Sequence, residues 1–243
     1  IFTLTIPGVV DVSSTELRAL LARGEGANLL PPAVYGYILR EHLFGTKADL
    51  SKLSDKHLRA VSYSMVKAKR LPHIKGIEET AVALAKFWGV DEEMARRAAI
   101  LHDCTKYWEL EPQLATCEKY GVALDELEQT SVKLLHSKTG AALAEHVFCE
   151  PKEECEAIFS HTTGKAGMTK LDKILYLADY MEPTRDFPGV ERLRKLAYED
   201  LDAAVCLGCE MSIEEMHQRG LPVHPNTVKA RDWLRSRPIG KEP

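Results

Sequence analysis

The chain has 243 residues, 45% hydrophobic and 28% charged, with 32 basic against 36 acidic side chains and a formal charge of -4. That length allows one large or two small domains with a substantial core, and the composition excludes a disordered or collagen-like chain. The longest stretch without Asp, Glu, Lys or Arg, Gly26 to Leu39, holds Pro31 and Pro32 and is too short for a span of ~20 apolar residues, so no transmembrane helix is expected. The balanced charge disfavours broad nucleic-acid binding but leaves room for a local phosphate pocket.

Residues 1–45 read differently from the rest. Ile1 to Ile6 alternates like a strand and Pro7-Gly8 ends it. Ser13 and Glu16 form a capping-box pattern that opens a helix through Leu17, Leu20 and Leu21, stopping near Gly24 and Gly26. Residues 46–54 read as a polar connector. Beyond them the periods are helical: Leu58, Val61 and Met65; Ile77, Ala81, Leu84 and Trp88; Met94, Ala98 and Leu101; Leu171, Leu175 and Ala178. No strand is expected after residue 50, so the fold class is all-α, a helical bundle with a short amino-terminal strand-helix extension. A charged helix around Leu124 to Glu128 reads as a solvated flank. The chain begins at Ile1, which suggests a trimmed or cleaved product.

Six cysteines are too sparse for a disulfide scaffold in a chain this long, and no signal peptide is read at the start. A reducing cytoplasm is the expected setting. Cys206 and Cys209 lack a second CxxC and lie in an apolar, helical run, so core thiols are favoured over a metal or redox pair.

The sharpest chemical signal is His102-Asp103 at the end of a helix, an imidazole beside a carboxylate, which together offer mixed ligands for a transition metal. Further candidates are His73 after Pro72, His136 after Leu134-Leu135, His161 in Ser160-His161-Thr162-Thr163-Gly164, and Asp179 after Leu177-Ala178. Taken singly, each His also reads as an isolated core or surface residue. Buried carboxylates at positions 103 and 179 are harder to dismiss, because a lone buried charge is costly unless paired or bound to metal.

The H…HD…D spacing of His73, His102-Asp103 and Asp179 resembles the HD-domain metal-dependent phosphohydrolases over most of residues 55–235. The flanking segments Arg70-Leu71-Pro72-His73, His102-Asp103-Cys104-Thr105-Lys106, His161-Thr162-Thr163-Gly164 and Leu171 to Arg185 are similar to the YqeK-type branch, the bacterial symmetrical diadenosine tetraphosphate hydrolases. The resemblance implies that His73, His102, Asp103 and Asp179 hold a metal, typically iron in that family. It also implies that Arg70, His136, His161, Thr162 and Arg185 contact the substrate's phosphates. Asp103 and Lys106 are the catalytic candidates, Lys106 lying one helical turn from Asp103, although a solvated lysine fits equally. His136 and His161 could instead complete a second metal site with Asp103 bridging, but phosphate contact is preferred. Asp172 either orients a ligand or pairs with a cation such as Lys173. His217 and His224 are read as structural.

Val12 to Arg18, Pro32 to Ile38 and Leu43-Phe44 are similar to the carboxyl-terminal end of bacterial nicotinate-nucleotide adenylyltransferases. The chain has no Gly-rich or His-containing nucleotidyl-transfer motif and no long parallel sheet, so adenylyl transfer is not expected. The expected organisation is an adenylyltransferase-like remnant at 1–45, a linker at 46–54 and an HD phosphohydrolase at 55–243.

The expected reaction is symmetrical hydrolysis of diadenosine tetraphosphate to two ADP, by in-line attack of water on an inner phosphorus. An HD phosphatase or phosphodiesterase acting on another nucleotide, or a noncatalytic nucleotide-binding module, is the alternative. The expected partners are a dinucleoside polyphosphate, with no nucleic acid or membrane, and, from the resemblance, a second copy of the chain.

Overall fold

The computed structural model describes residues 12–236. The amino-terminal strand expected at Ile1 to Ile6 lies outside the described residues. The chain divides into two compact units, Ile1–Met65 and Val66–Pro243. Among the described residues every regular element is a helix, as the periodicity indicates.

The first unit holds α1 (Ser14–Ala22), α2 (Pro32–Arg40) and α3 (Asp55–Met65). The α1 capping box forms as read: Ser13 N–H donates to Glu16 Oε2 at 2.8 Å and Glu16 N–H to Ser13 Oγ at 3.2 Å. Pro32 opens α2, where a missing N–H costs nothing. Helices α2 and α3 pack closely because Gly36 has no side chain; a Cβ there would lie 1.8 Å from the Ala60 carbonyl oxygen. Helix α3, placed by its sequence at the start of the larger domain, thus packs within the first unit, burying Leu58 and Val61 where α2 buries Ile38 and Leu39.

The second unit begins with α4 (Leu71–Trp88), α5 (Glu92–Leu101), α6 (Leu110–Lys119), α7 (Val132–His146) and α8 (Lys152–Ser160). It continues with α9 (Lys170–Met181), α10 (Val190–Leu196), α11 (Leu201–Gln218) and α12 (Pro225–Arg235). Helix α4 starts on Pro72 in its first turn and stops at Gly89, whose φ of 68° is a left-handed value that favours glycine. Asp91 caps α5, and Thr169 with Asp172 forms a reciprocal box at α9. The core lies where α4, α5, α8 and α9 pack together, burying Ile74, Ile77, Leu84, Ile158, Ile174 and Leu175 completely. Each such side chain contributes roughly 1.5–3 kcal/mol of hydrophobic stabilisation.

The segment around Leu124 to Glu128 differs from its sequence reading. It forms only a short 3-10 turn, Glu128–Thr130, and Glu128 is buried against Lys138 rather than solvated. No helix among the described residues is long and apolar enough to cross a membrane.

Candidate active site

Five helices of the second unit bring their ends to one point. His73 stands in the first turn of α4, His102 caps the end of α5 with Asp103 next to it, and Asp179 lies near the end of α9. His136 comes from the start of α7, and His161 caps the end of α8. The apolar faces that bury these helices fix the angles at which their termini meet, so residues far apart in sequence share one cavity.

Asp103, fully buried, is the hub. Its Oδ2 lies 3.8 Å from His73 Nε2 and 3.6 Å from His102 Nε2, while Oδ1 lies 3.1 Å from His136 Nε2 and 4.0 Å from His161 Nε2. Asp179 Oδ1 completes the first side at 3.2 Å from His73 Nε2. Two groups of three potential ligands result, His73–His102–Asp103 and Asp103–His136–His161, each with its ligand atoms within 4.8 Å of one another.

The outward ring nitrogens decide what the inward ones offer. The Nδ1 atoms of His102, His136 and His161 lie 2.6 to 2.7 Å from the carbonyl oxygens of Ala99, Lys133 and Ile158. A carbonyl only accepts, so each Nδ1 carries a proton, and each ring turns Nε2 to the centre as its potential ligand atom. His73 Nδ1 meets Glu182 Oε1 at 3.0 Å instead. The Glu182 carboxyl is held below the usual range: burial opposes ionisation, but hydrogen bonds from Thr184 and His73 outweigh it. Glu182 therefore accepts as a carboxylate, and His73 likewise turns Nε2 to the centre.

The charges fit this pattern. Burial works against ionisation of Asp103, but His102, His136 and Lys106 overcome it and hold its carboxyl well below the usual range. Burial also opposes ionisation of Asp179, and His73 and Arg185 help to overcome it. Burial drives the His161 imidazole well below its usual value, assisted by repulsion from His136 and His102, and lowers His136 too. The cluster thus combines ionised carboxylates with two imidazoles, His136 and His161, that burial holds toward the neutral form. His73 Nε2, His102 Nε2 and Asp103 Oδ1 are buried without a hydrogen-bond partner, a costly condition that a divalent transition metal would relieve. The donor set fits such an ion.

Cations ring the carboxylates. Arg70 reaches Asp103 Oδ2 through Nε at 2.8 Å and Nη2 at 2.5 Å, and Lys106 Nζ stands 3.0 Å from His136 Nε2 and 3.4 Å from Asp103 Oδ1. Arg185 grips Asp179, Nη2 to Oδ1 at 2.8 Å and Nε to the carbonyl at 2.9 Å, and Thr162 Oγ1 lies 3.3 Å from His161 Nε2. Every site candidate named from the sequence therefore enters one constellation. Asp172 stands apart: its partners are the Thr169 backbone N–H and Lys165, at 3.2 Å, while Lys173 pairs with Asp202.

A third cluster, Asp125, Glu128 and His224, has a similar composition and a different character. His224 Nδ1 accepts from Asn226 N–H at 3.1 Å to cap α12, so the proton sits on Nε2, which lies 3.0 Å from Asp125 Oδ2. The Nδ1 lone pair is already used by the backbone, so the ring turns no lone pair to the carboxylates for a metal, which agrees with a structural role. The Cys209 thiol is pushed up to about 11 by burial, in keeping with a core thiol.

The HD domain family matches residues 70–184 of this chain. A Halalkalibacterium halodurans protein named bis(5'-nucleosyl)-tetraphosphatase, symmetrical, is 36% identical, the match covering 68% of this chain and 88% of that protein. This chain belongs to the HD-domain symmetrical tetraphosphatase family. A crystal structure described as a predicted HD superfamily hydrolase involved in NAD metabolism, from Clostridium acetobutylicum, superposes with a TM-score of 0.74 at 36% identity, covering 76% of this chain and 99% of that one. A Mycoplasma genitalium protein named probable nicotinate-nucleotide adenylyltransferase/Ap4A hydrolase is 32% identical, over 72% of this chain and 48% of that protein. Family membership accords with the all-helical fold and with a divalent-metal centre.

Glu182 is the functional residue that sequence reasoning missed. It follows Asp179 by one helical turn, and a carboxylate one turn past a ligand is the signal that marks it.

Proposed function

We propose that this chain hydrolyses diadenosine tetraphosphate symmetrically to two ADP, using a divalent transition metal held by His73, His102, Asp103 and Asp179. The observation that carries this reading is the set of four Nε2 atoms turned toward Asp103, each ring fixed from behind by an acceptor at Nδ1. A divalent ion there lowers the pKa of water and polarises a phosphoryl oxygen. Iron is the proposed ion, from the family resemblance.

The chain's own residues supply the rest. Arg70, Lys106 and Arg185 bring positive charge to the place where phosphate oxygens gain negative charge, and stabilise the transition state through preorganised donors. Arg185, half-exposed with a planar fork, is suited to bind phosphate. Thr162 offers a hydroxyl at the same edge. Lys106 can transfer its hydrogen bond from His136 to a substrate oxygen.

A second reading of His136 and His161 is favoured by their burial. Both rings are essentially sealed from solvent, with their Nε2 atoms 3.1 Å apart. Asp103, His136 and His161 would hold a second divalent cation there, in competition with Lys106 Nζ, which stands 3.0 Å from His136 Nε2.

The proposed organisation keeps residues 1–45 as an adenylyltransferase-like remnant and 46–54 as connector, with the start of the hydrolase moved from residue 55 to 66 by the packing of α3 in the first unit; the double name of the Mycoplasma relative supports a fusion. A cytoplasmic setting and a homodimer belong to the same proposal. Chromatography of the products tests the reaction. ADP as the only product supports symmetrical cleavage, AMP with ATP overturns it, and turnover of another nucleotide in its place points to an HD phosphatase or phosphodiesterase.

A further inference from the structure

A cavity of about 1030 Å³ opens from the metal-ligand cluster toward α11. At its inner end stand His161, Asp179 and Arg185, and its volume suits a ligand of nucleotide size. Beyond Arg185 the lining changes. Tyr180, Phe187, Leu207 and Met211 form an apolar wall, with the Phe187 and Tyr180 rings meeting edge to face at 5.4 Å and 73°. Tyr180 in turn stacks parallel to the buried Tyr176 at 6.1 Å. Phe187 is thus braced from one side, and as a half-buried ring it can accept a flat partner.

The outermost lining is acidic: Glu210, Glu214 and Glu215 on α11. The one arginine there, Arg235, is tied to Glu210 at 2.7 Å. Charge on the lining therefore divides between Arg185, beside the ligand cluster, and the carboxylates of α11. A phosphate is attracted to the first and repelled by the second, whereas hydroxyl and amino groups find acceptors at the carboxylate end.

We infer that this cavity is the subsite for one nucleoside end of the substrate, with the base against Phe187 and Met211, the ribose toward the glutamates of α11 and the phosphates running back past Arg185. This rests on the tetraphosphatase reading and adds which residues recognise the nucleoside. It makes Phe187 a specificity-determining residue for the organic part of the substrate and leaves the phosphates to Arg70, Lys106 and Arg185.

The test compares ADP with inorganic pyrophosphate, each titrated by calorimetry into the metal-loaded protein and its Phe187→Ala variant. Base stacking on an aromatic ring is worth about tenfold in affinity or more, so Phe187→Ala is expected to weaken ADP at least that much and leave pyrophosphate unchanged. Unchanged pyrophosphate binding also certifies that the variant is folded. A second variant, Leu207→Trp, narrows the cavity from the α11 side with Phe187 intact and should likewise weaken ADP alone. The inference is overturned if both variants bind ADP as the wild type does, or if ADP and pyrophosphate weaken together in correctly folded protein. Because binding is read with the product, its outcome is separate from tetraphosphate turnover: loss of ADP selectivity without tetraphosphate hydrolysis upholds the subsite and rejects the proposed reaction.

Discussion

His73 Nδ1 lies 3.0 Å from Glu182 Oε1, and this contact aims His73 Nε2 at Asp103 and Asp179. Glu182 is itself pinned: Oε2 accepts the Thr184 N–H at 2.7 Å, and the Thr184 hydroxyl donates to Oε1 at 2.5 Å. A carboxylate behind a ligand histidine fixes its tautomer and raises its basicity, and loss of such a partner typically lowers metal affinity 10- to 100-fold. Glu182→Gln keeps the shape and loses the charge, so metal affinity is expected to fall by about tenfold. Competition with a chelator checks this, and unchanged affinity would mean that Glu182 only terminates α9.

Gly76 packs under the same carboxylate. A Cβ at Gly76 would stand 2.5 Å from Glu182 Oε2, an atom held in place by Thr184. Gly76→Ala must therefore displace a pinned group, at about 1–3 kcal/mol of stability. The melting temperature should fall by roughly 2–4 °C per kcal/mol in a chain this size. Metal affinity should fall with it, because the displaced group orients His73.

The sequence made much of this readable and left a specific part hidden. Helical periods located α4, α5 and α9, since their core faces repeat Ile77, Leu84, Ala98 and Leu175 at helical spacing. His102-Asp103 stood out because adjacent donors at a helix end are visible in one line. The tautomer locks were not legible: every helical histidine has a carbonyl three residues back, and only the rotamers of His102, His136 and His161 show that these three use it. That His136 and His161 turn inward was legible from the apolar helical residues before them, but that the two rings meet depends on how α7 crosses α8. The segment at 124–128 misled because its charges suggest solvent, whereas Glu128 is drawn inward by Lys138 Nζ at 3.2 Å.

Away from the centre, Glu154 is 2% exposed and its carboxyl is pushed up to about 9, first by burial and then by Glu150, whose carboxylate is held by Arg97 at 2.6 and 2.7 Å. Between its ordinary value near 4.5 and about 9 the folded state retains a proton that the unfolded state has lost. Its stabilising effect is complete below the lower value and declines as pH rises through this window. Glu154→Gln mimics the protonated acid, so the variant should match the wild type near pH 4.5 and exceed it in melting temperature near pH 8. The gap is worth on the order of a few kcal/mol. Parallel melting curves at all pH values would contradict the burial argument.

His224 offers the reverse test. His224→Leu removes the acceptor that caps α12, worth about 1 kcal/mol, while Glu128 keeps Lys138 and the Asp125 N–H. Stability should drop while bound metal is unchanged. Loss of one equivalent of metal would show that the third cluster is a metal site after all.

The most direct test of the central claim is metal analysis of anaerobically purified protein, with tetraphosphate turnover measured on the same samples, for wild type and His102→Ala. His102 stands fully buried among the ligand atoms, so the account predicts a bound divalent transition metal, iron on this proposal, in the wild type. Metal and turnover should be lost together in a variant whose helical circular dichroism is intact. A His102→Ala protein that keeps both its metal and its activity would contradict the account.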